Sequence, residues 1–196
     1  TPLTSILGYL KIMDVQGLSG EDRAGLETVR RKAESLSRLV EQFYEYSRIT
    51  AEEYEPEIKE MALGRLLRET LADSWQEIEE SGIGLSVGIP ETPVMVWGDM
   101  NAAERILRNL IQNGCRYASS VLEVSLTEEE RETVLVFEND VKEFTEEDIR
   151  MIFRRFYVKD ASRNRTLAEK IGGSMTAELP EKERIRFIVR FRRCIQ

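Results

Sequence analysis

Asn109-Leu110-Ile111-Gln112-Asn113 is the stretch on which the reading of this chain turns. Residues four apart on a helix project from one side, so the two asparagines share a face if this run is helical. It is bounded as a helix should be: Asp99 stands ahead of it as an N-cap, and the apolar pattern continues to about Tyr117. Ile106, Leu107, Leu110 and Gly114 mark the side that lies on a core. The asparagines therefore border that core, where their amides can face a cleft. An amide oxygen is a hard ligand suited to Mg²⁺, which keeps waters and substrate phosphates as its other ligands. An isolated pair of this kind is also what ordinary polar residues beside a core helix would look like.

Helices and strands are mixed on both sides of this segment. Leu63, Leu67, Leu71, Trp75 and Ile78 predict one helix facing the core and stopped by Gly82. Ile83, Leu85, Val87 and Ile89 alternate, as do Val94 and Val96, which predicts two strands. Val124 and Leu126, then Val134 and Val136, read as a strand pair across an acidic turn. Thr145 and Asp148 make a capping box before a short helix. In the last strand Ile185, Phe187, Val189 and Phe191 alternate with Arg184, Arg186, Arg190 and Arg192, a half-exposed antiparallel pattern whose arginines read as a solvated face. The expected fold is α+β: a two-layer α/β sandwich, a mixed sheet with helices on one face.

Residues 1–50 read differently. Leu3, Ile6 or Leu7, Leu10 and Met13 recur at helical spacing. After a break at Gln16-Gly17-Leu18-Ser19-Gly20 the pattern resumes at Leu26, Val29, Ala33, Leu36, Val40 and Phe43. Steps of three and four are the seam of a coiled coil or tight bundle, and Ser19 with Asp22 resembles a capping box that starts the second helix near Gly20. One hairpin cannot cover its own seam. A second copy, giving a dimeric four-helix bundle, is the economical partner; packing on the rest of its own chain is the other solution. The chain thus divides into a helical hairpin, 1–50, and an α/β domain, 51–196. Residues 49–57, rich in Glu and without apolar periodicity, are the expected hinge.

Composition narrows the function. The 196 residues carry 28 Lys plus Arg against 36 Asp plus Glu, a net charge of −8, with 41% apolar residues and no histidine. An acidic chain is a poor general ligand for nucleic acid, whose phosphates need a basic surface. No apolar run approaches the roughly 20 residues of a membrane span. Cys115 and Cys194 lie far apart without a C-x-x-C spacing, which predicts free thiols in a reducing, cytoplasmic setting. Without histidine, His-based catalysis and most zinc sites are excluded within these residues.

Three segments together carry a resemblance: Thr1-Pro2-Leu3, Asn109-Leu110-Ile111-Gln112-Asn113 with Tyr117, and Ile152-Phe153-Arg154-Arg155-Phe156-Tyr157. In this order and spacing the chain resembles the bacterial sensor histidine kinases of two-component systems, matching the back of their H-box, their N-box and their F-box. The resemblance implies a dimerisation and phosphoacceptor hairpin followed by a Bergerat-type ATP-binding domain, with ATP and Mg²⁺ as cofactors. It implies Asn113 as the Mg²⁺ ligand and Asn109 as the residue that positions the transferring phosphate. Arg116, where the family usually has lysine, would meet phosphate oxygens, and Tyr117 and Phe156 would line the nucleotide pocket. Lys159 and Arg163 would bring cations to the triphosphate, although a solvated loop explains them equally well.

The chain also departs from the family. The phosphorylated histidine would stand four positions ahead of Thr1. A glycine-rich ATP-lid segment should fall between residues 166 and 167, where Thr166 runs straight into Leu167; a missing segment and a true deletion both account for this. The first glycine box corresponds to Asn139-Asp140-Val141-Lys142-Glu143, in which Asn139 replaces the aspartate that accepts from the adenine amino group and Val141 and Glu143 replace both glycines. An asparagine oxygen still accepts that bond, without the charge. Thr1, on the histidine's helix face, is either a phosphatase residue that orients a water or a simple helix-start residue.

The expected function is therefore the cytoplasmic kinase core of a membrane-anchored sensor, a homodimer through its hairpin. It would phosphorylate a histidine from Mg-ATP, pass the phosphate to an aspartate of a response-regulator receiver domain, and also hydrolyse that phosphoaspartate. The alternatives are a catalytically impaired pseudokinase acting as a dimeric docking module, motivated by the altered glycine box, and an ATPase of the wider superfamily, against which the leading hairpin argues.

Overall fold

In the computed structural model, residues 2–13, 19–50, 55–141 and 159–195 are described. They fall into two compact units, residues 1–54 and 55–196.

The first unit is a helical hairpin. Helix α1 spans Pro2–Ile12 and α2 spans Gly20–Thr50. Ser19 caps α2: the Asp22 backbone N–H donates to Ser19 Oγ at 3.1 Å, and Ser19 Oγ donates to the Asp22 carboxylate at 2.6 Å. Within the unit the seam residues Ile6, Met13, Val29, Leu36 and Val40 are 51%, 49%, 54%, 51% and 54% exposed. The hairpin thus leaves apolar seam residues open, as the argument from its own geometry requires.

The second unit runs β1 (Lys59–Ala62), α3 (Leu63–Asp73), α4 (Trp75–Ser81), β2 (Gly84–Gly88), β3 (Met95–Gly98), α5 (Met100–Tyr117), β4 (Val121–Glu128), β5 (Glu132–Asp140), α6 (Lys159–Lys170), β6 (Ser174–Glu178) and β7 (Arg184–Arg193). The strands form a mixed sheet in the order β1-β3-β7-β5-β4-β2, with β6 also paired to β7. Only β2 and β4 are parallel among the pairs. The expected two-layer α/β arrangement is what forms. Leu122, Val124, Leu126, Leu135, Phe137, Val189 and Phe191 on one sheet face are buried with Leu63, Leu67, Ile106, Leu107, Leu110 and Ile111 of α3 and α5. Each such side chain contributes roughly 1.5–3 kcal/mol.

The other sheet face is polar but not simply solvated. Arg184 of β7 bridges Glu123 of β4 and Glu138 of β5, the latter at 2.7 Å. Arg186 binds Glu138 at 2.6 Å and Glu178 of β6 at 2.9 Å. Glu123 and Glu138 stand directly opposite each other, a like-charge pair that costs stability unless a cation lies between them. Arg184 is that cation.

Several expectations need correction. The helix expected from Leu63 to Ile78 is two helices, broken at Ser74 (φ −93°, ψ 3°). Asp73-Ser74 is a poor helix interior. The break shifts the phase of the following turn, leaving Trp75 56% exposed instead of in the core. Strands β1 and β6 have no counterpart in the sequence reading. Leu167–Lys170 is the last turn of α6, which runs without interruption through Thr166 and Leu167. The hinge expected over 49–57 begins inside α2, which reaches Thr50. The capping box at Thr145 and Asp148 lies outside the described residues.

Candidate functional site

The site is built on α5. Its N-cap is Asp99, as the sequence implies: the carboxylate accepts from the Ala102 N–H at 2.9 Å. Gly114 sets how closely the helix lies on the sheet, since a Cβ there would stand 2.7 Å from a methyl carbon of Leu122. Leu122 is in turn the register partner of Asn139 on β5. The part of α5 that carries Asn113 therefore rests beside the end of the strand that carries Asn139.

Asn109, Asn113 and Tyr117 form a stripe along α5 at four-residue spacing. Asn109 is half-buried, and its Nδ2 donates to Asn164 Oδ1 of α6 at 2.9 Å. Asn113 is 6% exposed, and its Nδ2 has no hydrogen-bond partner. Buried amides are rarely left so; an orphaned buried donor is what remains when the group that accepts from it belongs to a separate molecule. Among the described residues no group of three or more His, Cys, Asp or Glu could hold a metal ion. An amide ligand that leaves Mg²⁺ its substrate phosphates and waters fits this donor set. Arg116 and Tyr117 close the helix in the exposed part of the stripe, with the guanidinium carbon 5.9 Å from the ring centroid, a cation–π contact.

Asn139 is 4% exposed, and its Nδ2 donates to the Asp140 carbonyl at 3.0 Å. The neighbouring Asp140, which was not singled out from the sequence, serves the fold. Its Oδ1 accepts from the backbone N–H groups of Ser119, Ser120 and Val121, and its Oδ2 from Ser120 Oγ. Burial pushes this carboxyl up, but the four donors outweigh it and hold its pKa at about 2, below the ordinary 3.8. Asp140 therefore fastens the turn between α5 and β4, while Asn139 faces the helical layer.

A group held below its unfolded pKa stabilises the fold above that value and loses the effect as the pH falls. Asp140→Asn is expected to cost about 1 kcal/mol at neutral pH, after allowance for solvent screening. Urea unfolding of both proteins checks it: the gap should narrow below about pH 4 and be roughly halved near pH 3, between the ordinary value and the folded one. A constant gap would mean that the charge is immaterial.

Of the other expected site residues, Thr1 and Phe156 lie outside the described residues. Lys159 and Arg163 fall on the first part of α6, but their side chains are outside the description. Asn164, buried at 0% exposure and also carrying an unpartnered Nδ2, was missed. No local pattern marks it, because its place depends on α6 packing against α5.

Comparison with known proteins agrees with this geometry. The family model described as "His Kinase A (phospho-acceptor) domain" matches residues 1–52, and "Histidine kinase-, DNA gyrase B-, and HSP90-like ATPase" matches residues 98–193. The chain is 26% identical over 210 residues to the sensor histidine kinase YcbM of Bacillus subtilis, covering 98% of this chain and 68% of that protein. It is 28% identical over 165 residues to the sensor histidine kinase CpxA of Escherichia coli, covering 84% of this chain but 35% of that protein. The chain thus spans about two-thirds of one such relative and about a third of the other. Full-length ShkA, solved in complex with AMPPNP, superposes with a TM-score of 0.79 at 17% identity, over 100% of this chain and 44% of that one. The Acinetobacter baumannii histidine kinase AdeS does so with a TM-score of 0.73 at 17% identity, over 98% and 96%. At these identities the structural likeness establishes the fold. Among the described residues no helix is long and apolar enough to cross a membrane.

Proposed function

The chain belongs to the sensor histidine kinases of two-component systems, and from that premise we propose that it is a kinase core. It binds Mg-ATP on its α/β unit and directs the γ-phosphoryl group to a histidine four positions ahead of Thr1. Phosphoryl transfer of this kind is mostly positioning and charge neutralisation, and the roles divide accordingly. The Asn113 side-chain oxygen is the protein ligand for Mg²⁺, which neutralises phosphate charge when bound. Asn109 orients the transferring phosphate, exchanging its bond with Asn164 for one with the nucleotide. Asn139 accepts from the adenine amino group through Oδ1, the acceptor left to it once its Nδ2 is engaged by Asp140. Arg116, Lys159 and Arg163 supply positive charge to the triphosphate, and Phe156 and Tyr117 flank the base.

The observation that carries this reading is the buried Asn113 amide, its Nδ2 without a partner, on α5 beside the end of β5. The open apolar seam of α1 and α2 supports pairing with the hairpin of a second copy. The same hairpin then presents the phosphohistidine to the receiver aspartate of a response regulator, and Thr1 orients a water that hydrolyses the phosphoaspartate and releases inorganic phosphate. The core stands on the cytoplasmic side of a full-length protein anchored in the cell membrane. Its boundaries are those of the hairpin, 1–50, and the nucleotide-binding domain, 51–196, in which α6 runs straight through Thr166 and Leu167, where the family carries its lid. Beyond the altered glycine box, no observation favours a pure docking module.

The intact mass of the full-length protein after incubation with Mg-ATP tests the proposal. The expected result is a fraction carrying one acid-labile phosphate. Unchanged mass, together with no binding of Mg-ATP at millimolar concentration, would overturn it.

A further inference from the structure

Asp99 engages two distant parts of the chain with one carboxylate. Its Oδ1 accepts from the Ala102 N–H at 2.9 Å, and its Oδ2 accepts from the Glu57 N–H at 2.8 Å. The residue is 7% exposed, so neither bond is readily replaced by water. Glu57 lies just ahead of β1, on the stretch by which the chain passes from the helical unit, ending at Tyr54, into the α/β unit, beginning at Glu55. That stretch is the sole covalent path between the two units. A carboxylate that accepts through both oxygens has both its side-chain torsions fixed. The Glu57 N–H therefore keeps Oδ1 on the helix cap, and the cap keeps Oδ2 on Glu57.

The capped helix is α5, which carries Asn109 and Asn113. Ala103, Ile106, Leu107, Leu110 and Ile111 bury its inner face, so a shift at its N-terminus is passed along a packed rod. Asparagines that must meet a phosphate and a metal ion tolerate only about 0.5 Å of misplacement. We propose that Asp99 is a positioning residue that couples the segment entering the α/β unit to the asparagines of the nucleotide site. The role of those asparagines rests on the nucleotide-binding reading above; the clamp itself does not. Coupling of this kind is reciprocal: a ligand that fixes α5 strengthens the Glu57 bond by the same factor by which that bond strengthens the ligand.

Serine separates the two functions. It is as good an N-cap as aspartate, but its single, shorter-tethered oxygen cannot serve Ala102 and Glu57 together. Amide exchange and Mg-ATP titration are measured on the full-length wild type, Asp99→Ser and Asp99→Ala. In Asp99→Ser the Glu57 amide should exchange at least about tenfold faster, the loss of one charge-assisted bond, while the Ala102 amide stays near its wild-type rate. Asp99→Ala should release both amides, which sets the scale for loss of the cap. Mg-ATP affinity of Asp99→Ser should fall about fivefold or more, and saturating Mg-ATP should slow Glu57 exchange in the wild type by the same factor. Nucleotide affinity unchanged in Asp99→Ser, with its Glu57 amide released, overturns the proposal, since the clamp would then exist without reaching the site. A wild type that binds no Mg-ATP sinks the nucleotide reading and the coupling with it. The two failures are told apart because the Glu57 and Ala102 amides report the clamp without nucleotide.

Discussion

Leucine in place of Asn113 is expected to leave the fold at least as stable as before and to lower Mg-ATP affinity by about 100-fold or more. The two side chains share the same branching, so the substitution fills the same space in α5. What it removes is a buried amide whose Nδ2 has no partner, and loss of an unsatisfied buried donor is neutral or favourable, by about 1 kcal/mol. What it also removes is the oxygen assigned to Mg²⁺. Stability and function should then move in opposite directions, the mark of a group retained for its ligand. Thermal unfolding without nucleotide and titration with Mg-ATP measure the two halves. If the leucine variant binds Mg-ATP as tightly as the wild type, Asn113 is not the metal ligand. If it unfolds far more easily, the amide has a structural partner and the argument from its isolation fails.

Gly173→Ala should be the most destabilising single-methyl change in the α/β unit, at about 3–5 kcal/mol, or roughly 10 °C in Tm. Helix α6 ends in a Schellman motif: the Gly173 N–H donates to the Ala168 carbonyl at 2.9 Å, the Gly172 N–H to the Glu169 carbonyl at 3.1 Å, and Gly172 is left-handed at φ 79°. The chain then turns at once into β6, whose first residue, Ser174, pairs with Arg190 of β7. A Cβ on Gly173 would sit 2.2 Å from the Arg190 carbonyl oxygen. That oxygen is backbone in the middle of the sheet, so no side-chain rotation relieves the clash. Either β6 separates from β7 or the helix end shifts, and Leu167, Ile171 and Met175, all buried, lose packing in both cases. Gly172→Ala supplies the comparison. Its Cβ meets nothing within 4 Å, so only the left-handed backbone opposes it, at about 1–2 kcal/mol. Chemical unfolding of the two variants should rank them clearly, and equal losses would mean that the sheet gives way at Arg190.

Much of this was legible without coordinates because it is local. The Ser19 cap of α2, the Asp99 cap, the limits of α5 and the alternation of β7 each depend on a few neighbouring residues, and all formed as read. The stripe of Asn109, Asn113 and Tyr117 is likewise a consequence of helical spacing alone, and the order of the motifs was enough to place the chain among the sensor histidine kinases. Where one residue changes the phase, as at Ser74, periodicity misleads, and Trp75 faces water although its spacing pointed inward.

The rest depends on which distant segments meet. Strand β1 has only four residues and no alternation that sets it apart; it is a strand because β3 offers it a ladder. Asn164 matters to the site because α6 packs on α5, 55 residues away from Asn109 in sequence. Asp140, beside the asparagine that the family pattern singles out, is committed to three backbone N–H groups about twenty residues earlier. Arg184 and Arg186 of β7, indistinguishable in sequence from a solvated face, are paired because β4, β5 and β6 bring glutamates beside them. Asp99 could be recognised as a helix cap, since its partner lies three residues on; its hold on Glu57 spans 42 residues. Caps, turns and helix faces follow from neighbours in the chain. A hydrogen bond across the fold exists only once the core has chosen which surfaces to bury together.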